Sequence, residues 1–150
     1  MKKVLMRAAV VAALFLAFVL LMTFSGDGIS IDALTYSNDK SNLVEAMENE
    51  DYEKAAEYLS FYGKEDICTA RSYWASAMEN SGVAFRSIKR KNLIADDGIT
   101  LCPATAVLED GSKMSFRIVV QGKGLAIGNI HTDNGQEEMY QKLMTTYNPG

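Results

Sequence analysis

The groups able to do chemistry are few. The chain holds one histidine, His131, and two cysteines, Cys68 and Cys102. General acid–base catalysis needs a carboxylate or imidazole inside a pocket, opposed by a tyrosine or a second acid. His131 falls at the end of a predicted strand beside Thr132 and Asp133, where an imidazole is easily solvated, so a surface histidine is the preferred reading. Asp96-Asp97 and Glu137-Glu138 are adjacent pairs in a predicted turn and at a predicted helix start. Those positions call for turn and helix-end carboxylates rather than a catalytic dyad. Gly122-Lys123-Gly124-Leu125-Ala126-Ile127-Gly128 has the wrong glycine spacing for a dinucleotide loop, and a strand follows where a helix must begin. There is no Walker loop, HExxH or GxSxG segment. Two distant cysteines and a single histidine make neither a redox CxxC pair nor a zinc site. No catalytic residue, metal or cofactor is assigned. What remains is a set of aromatics, Tyr62, Tyr73 and Trp74, which with Arg117 could line a ligand pocket or, for the aromatics, could equally be core.

These residues must be positioned by a chain whose hydrophobic period changes midway. Asn42 with Glu45 three residues on has the form of a capping box, so a first helix is expected from near Asp39 or Asn42, with Leu43, Val44 and Met47 on its apolar face. Asn49-Glu50-Asp51 breaks it. A second helix is expected to carry Tyr52, Ala55, Ala56, Leu59 and Tyr62 at spacings of three and four, with Gly63 at its end. In the third, Ala70, Tyr73, Trp74, Ala77, Met78 and Ser81 recur at helical spacing before Gly82. From Val83 the period becomes two. Strands are expected over 83–94 and 98–108, then, after the hairpin signal Glu109-Asp110-Gly111-Ser112, one with Met114, Phe116, Ile118 and Val120 on one face. Gly122-Lys123-Gly124 turns into a fourth strand toward His131. Pro103 inside the second strand implies an edge position or a bulge. The tail returns to helix, with Asn134 and Glu137 resembling a capping box and Met139, Tyr140, Leu143, Met144 and Tyr147 on one apolar face. That helix either packs on the sheet or offers Met139, Tyr140, Leu143 and Met144 to a partner.

The N-terminus sets the compartment. Lys2, Lys3 and Arg7 precede an uncharged run from Ala8 to Phe24. Counted from Val4, a helix of that length reaches about 31 Å, close to the ~30 Å hydrocarbon core of a bilayer. A cleavable signal wants a shorter apolar stretch and a small-x-small site; the one candidate, Thr23-Phe24-Ser25, is poor. Residues 1–24 are therefore read as a transmembrane anchor, with a cleaved signal segment as the alternative. The basic end stays cytoplasmic and the rest is extracytoplasmic, or secreted if cleavage occurs. Residues 25–40 read as a polar stalk, 41–132 as an α+β domain, and 133–150 as a C-terminal helix and tail. The formal charge of the chain is −4. Without Lys2, Lys3 and Arg7 the exported part carries −7, which disfavours nucleic acid as a partner. The basic run Arg86, Lys89, Arg90, Lys91 reads as a charged strand edge, with an acidic partner or anionic headgroups as the minority reading. Outside the cytoplasm Cys68 and Cys102 could form a disulfide, stabilising by roughly 3–4 kcal/mol in the chain-entropy model, or remain buried thiols.

Asn49-Glu50-Asp51-Tyr52-Glu53-Lys54-Ala55-Ala56 is also how a tetratricopeptide helix pair can begin. However, Ala-Met-Glu-Asn at 46–49 and 77–80 is the one internal echo, and repeat arrays need about three copies and no hairpin. The order of three helices followed by a strand meander, with Asn49–Ala56 and Leu59 as the second-helix motif, Thr69–Ser81 as the third helix and strands from Phe85 to Ile130, resembles the nuclear-transport-factor-two-like superfamily. The resemblance covers about 100 residues. It implies a cone-shaped α+β fold: three helices packed on a curved antiparallel sheet, here with an N-terminal transmembrane helix and an extra C-terminal amphipathic helix. The superfamily hosts enzymes, binding proteins and secretion components, so the fold alone sets no function. One N-terminal anchor followed by a cone domain is also similar to periplasmic-side components of type IV secretion and conjugation machines. The favoured function is a membrane-tethered extracytoplasmic interaction module of the bacterial cell envelope, binding a protein partner or small ligand without catalysis. The alternative is an isomerase- or dehydratase-like enzyme on the same cone. A weaker third possibility is a structural tether whose tail helix forms a homo-oligomer.

Overall fold

A computed structural model describes residues 9–17, 31–61 and 63–149. Of the apolar run Ala8–Phe24, expected as an anchor, residues 9–17 are described; they are helical and exposed, and the rest of the run lies outside the described residues. Among the described residues no helix is long and apolar enough to cross a membrane.

The domain is α+β. Helices α1 (Ile31–Glu48), α2 (Tyr52–Glu57) and α3 (Ile67–Ser81) precede strands β1 (Phe85–Arg90), β2 (Ile94–Asp96), β3 (Ile99–Leu108), β4 (Lys113–Gln121) and β5 (Gly124–Thr132), and α4 (Glu137–Met144) closes the chain. All strand pairings are antiparallel, in the order β1-β3-β4-β5, with β2 beside β3. The expected alternation in β4 holds as far as Ile118: Met114, Phe116 and Ile118 are buried toward the helices, but Val119 is buried as well and Val120 is half-buried. Leu43, Met47, Met78, Leu125 and Ile127 fill the space between helices and sheet, leaving it packed with apolar side chains.

Three elements differ from the sequence expectation. The first is α1, which begins at Ile31 and so takes in much of the expected stalk. Ala33, Lys40, Leu43, Val44 and Met47 form its buried stripe, and a lysine in that stripe hides it from a hydropathy pattern. Asn42 and Glu45 lie mid-helix and cap nothing. The second is the region expected as a single first strand, which divides into β1 and β2. The third is α2, which stops at Glu57. Leu59 leaves the helix to form a parallel bridge with Leu125 on β5, and Gly63, at φ 75°, serves a later turn. Asp51 caps α2, its carboxylate accepting from the backbone N–H of Lys54 at 3.2 Å.

Pro103 is not on an edge strand: β3 lies between β1 and β4. It is tolerated because of which side its nitrogen faces. The Pro103 carbonyl accepts from Lys91 N–H at 3.1 Å. A residue's N and O point to the same side of a strand, so the missing Pro103 donor faces the break between β1 and β2. The Lys91 carbonyl thereby loses its ladder partner. Two buried side chains replace it: the Lys40 ammonium donates at 3.1 Å and the Cys102 thiol at 2.8 Å. On the outward side of β1 the Glu48 carboxylate accepts from the Ile88 N–H at 2.6 Å. The outward edge of β1 thus meets one carboxylate of α1 and carries the exposed basic residues Arg86, Lys89 and Arg90.

Tyr52 ties the helices to the sheet. It is 2% exposed, meets Trp74 edge-on at 6.2 Å, and its hydroxyl donates to the Val83 carbonyl, where the chain passes from α3 into β1. Burial, and secondarily the charge of Glu50, push its pKa from 10.0 up to about 12. Tyr52→Phe would leave the Val83 carbonyl without this donor and is expected to cost about 1–2 kcal/mol near neutral pH. The raised pKa means that unfolded Tyr52 ionises first. Its contribution is complete below about pH 10 and is lost as pH rises to about 12. Urea titrations of wild type and Tyr52→Phe should therefore show a stability gap that closes across that interval; a gap independent of pH would contradict the assignment.

Candidate functional site

The residues singled out in the sequence fall on different surfaces. In α3, Trp74, Ala75 and Met78 face the core, whereas Tyr73 is 77% exposed. The expected apolar stripe therefore splits. One part packs inward; Ala70, Tyr73 and Ala77 turn toward α4. Helix α4 divides in the same way: Tyr140 and Met144 are buried in the core, while Met139 and Leu143 face α3. Of the four residues expected to meet a partner, two are therefore unavailable to one.

Between α3 and α4 lies an open groove of about 830 Å³, lined by Phe61, Ala70, Tyr73, Trp74, Ala77, Met139 and Leu143, with Lys64, Glu65, Asp66 and Lys142 also on its walls. Its size and apolar character suit a small-molecule or peptide side-chain site. Asp66 is engaged as the cap of α3. The Thr69 hydroxyl and then the Thr69 N–H hold its carboxyl below the usual range. Trp74 joins the two walls: its indole N–H donates to the Met144 carbonyl at 3.3 Å.

Two segments that cap the outer edge of β5 set this separation. Before α3, Leu125 N–H donates to the Tyr58 carbonyl at 3.0 Å and Ser60 N–H donates to the Leu125 carbonyl at 2.6 Å. After α4, Ile127 N–H donates to the Thr146 hydroxyl at 3.0 Å, and the Thr146 and Tyr147 N–H groups donate to the Ile127 carbonyl at 2.9 and 3.0 Å. Gln141 adds a bond to the Ile130 carbonyl at 3.1 Å. Gly128 permits the tail's approach: a Cβ there would stand 2.9 Å from that of Tyr147. The sequence reading singled out neither Thr146 nor this edge.

Arg117 does not join the aromatics. Its strand position is opposite in parity to Phe116 and Ile118, so it projects from the far face of the sheet, beside Gly128, Asn129 and Tyr147. Tyr62 lies outside the described residues. His131 is on the surface, 3.2 Å from Glu137. Asn134 does not cap α4: its side chain accepts from Gln136 N–H and donates to Ser112, and the α4 N-cap, Gln136, makes no side-chain capping bond. Asp97 and Gly98 turn the chain with φ of 47° and 78°. Among the described residues no cluster of His, Cys, Asp or Glu could hold a metal ion.

The expected disulfide is absent. Cys68 is exposed on the first turn of α3, while Cys102 is buried in β3 with its thiol on the Lys91 carbonyl. Burial pushes the Cys102 thiol up, opposed by Lys40 and the Lys91 bond. A thiol reagent applied to the native protein is expected to modify Cys68 alone, with Cys102 reacting only after denaturation; mass spectrometry showing no free thiol would contradict this.

No family model, curated protein or solved structure matches the chain.

Proposed function

We propose that the chain is a membrane-tethered extracytoplasmic interaction module of the bacterial cell-envelope type, a non-catalytic domain that binds its target in the α3–α4 groove. The observation that carries the binding half is the groove itself, where Tyr73 and Met139 stand 77% and 47% exposed beside Leu143. Exposed large apolar side chains gathered in one concavity, rather than scattered singly, mark interaction surfaces. The tether half rests on the basic start and the uncharged run Ala8–Phe24. A nuclear-transport-factor-two-like cone remains the proposed ancestry. It is supported by helices before a strand meander and by Tyr52 and Ala55 of the Asn49–Ala56 stretch, with Leu59 beyond it, facing the core.

The isomerase- or dehydratase-like alternative requires a titratable group facing an open cavity inside the cone. The space under the helices is filled by apolar side chains, and of the carboxylates on the groove walls, Glu65 and Asp66, the latter is engaged as the cap of α3. No observation favours that alternative over binding.

A photoreactive residue at position 73 of the full chain, in its own membranes, is expected to give a discrete adduct that Leu143→Asp abolishes. Equal labelling from position 113, at the start of β4, would contradict a groove-directed partner. The same membranes should retain the chain through alkaline extraction; its release would contradict the tether.

A further inference from the structure

A second cavity, of about 570 Å³, adjoins the groove, and Phe61 and Lys64 line both. Its character is different. Lys64, Arg71 and Lys123 converge on it from the loop after α2, from α3 and from the β4–β5 turn, with Asp39 and Glu57 as the acidic residues. Among the described residues the one ion pair is His131–Glu137, so none of these three cations is neutralised by a carboxylate contact. Three cations and two carboxylates leave one net positive charge, on a chain whose overall charge is −4.

Arg71 is the one of the three with a buried polar atom that has no partner. Its Nη2 donates to the Glu57 carbonyl at 3.3 Å, while its Nε–H is buried with no partner. A guanidinium presents donors in a planar fork that matches a carboxylate. Ser60 and Gly124 also line this cavity.

We propose that the two cavities together bind a single-chain amphiphile with one carboxylate head, such as a long-chain carboxylic acid. The carboxylate sits between Arg71 and Lys123, and the hydrocarbon runs past Phe61 into the α3–α4 groove against Tyr73 and Trp74. This rests on the reading of the groove as a binding surface and names its ligand class. Charge selects the head: a singly charged carboxylate balances the one net positive charge, whereas a phosphate monoester dianion exceeds it. The apolar groove selects the tail.

Trp74 is the sole tryptophan and lines the groove, so it reports occupancy directly. The full chain in discs of zwitterionic lipid is titrated with 12-bromododecanoate, with 12-bromododecanol, and with monododecyl phosphate as a competitor. The carboxylate is expected to quench Trp74 saturably and at least about tenfold more tightly than the alcohol, the scale of one charge-assisted contact. Arg71→Gln and Lys123→Gln should each weaken it by about tenfold without changing the far-ultraviolet dichroism. Equal quenching by the alcohol would overturn the proposal, as would wild-type affinity in both variants, or stronger binding by the phosphate than by the carboxylate. Adducts from position 73 without carboxylate-dependent quenching would overturn the ligand class alone. Loss of both would overturn the groove as well.

Discussion

The outer edge of β5 is the constraint on which the rest of the structure depends. A sheet edge presents backbone donors and acceptors that must be paired, covered or hydrated. Here Leu125 and Ile127 are both fully buried, so water cannot serve them. Two non-strand segments do so instead: Tyr58–Ser60 pairs with Leu125 and Thr146–Tyr147 with Ile127. The first segment leads into α3 and the second follows α4. Satisfying one edge therefore anchors both walls of the groove, and the Trp74 indole bond to Met144 fixes them to each other. The groove is thus a consequence of how the sheet ends.

The break between β1 and β2 is managed by a different device. Pro103 deprives the Lys91 carbonyl of a donor, and α1 and the core supply Lys40 and Cys102 in its place. A buried lysine and a buried thiol, which in isolation suggest chemistry, are here the completion of a strand ladder. Glu48 on Ile88 is a separate contact of α1, on the outward side of β1. The β5 edge and the β1–β2 break are thus both completed by groups from elsewhere in the chain.

Much of the fold was legible because local period decides it. The β3–β4 hairpin, the inward face of β4 and the span of α3 up to Gly82, at φ 69°, follow from alternation, turn chemistry and a left-handed stop. What was hidden depends on partners distant in sequence. The start of α1 reads as polar stalk because Lys40 interrupts its stripe, and the reason Lys40 is buried lies at Pro103. The end of α2 is set by Leu125, not by the spacing of Leu59. The site was half legible: Tyr73 and Trp74 were separated from Met139 and Leu143 in the sequence, and the β5 edge brings them together. Arg117 was misplaced against information already present, since its parity with Phe116 and Ile118 puts it on the far face. The proposal that Ala8–Phe24 is an anchor rests on the length and lack of charge of that run.

Amide hydrogen exchange at Leu125 and Ile127 in the full chain tests the central claim most directly. If the two segments clamp the β5 edge, both amides should be protected as strongly as the interior amides of β4, such as Ile118, and should open together with them. An Ile127 amide that exchanges as fast as an open strand edge while Ile118 stays protected would mean that the tail does not hold α4 in place, and the groove would lose its second wall.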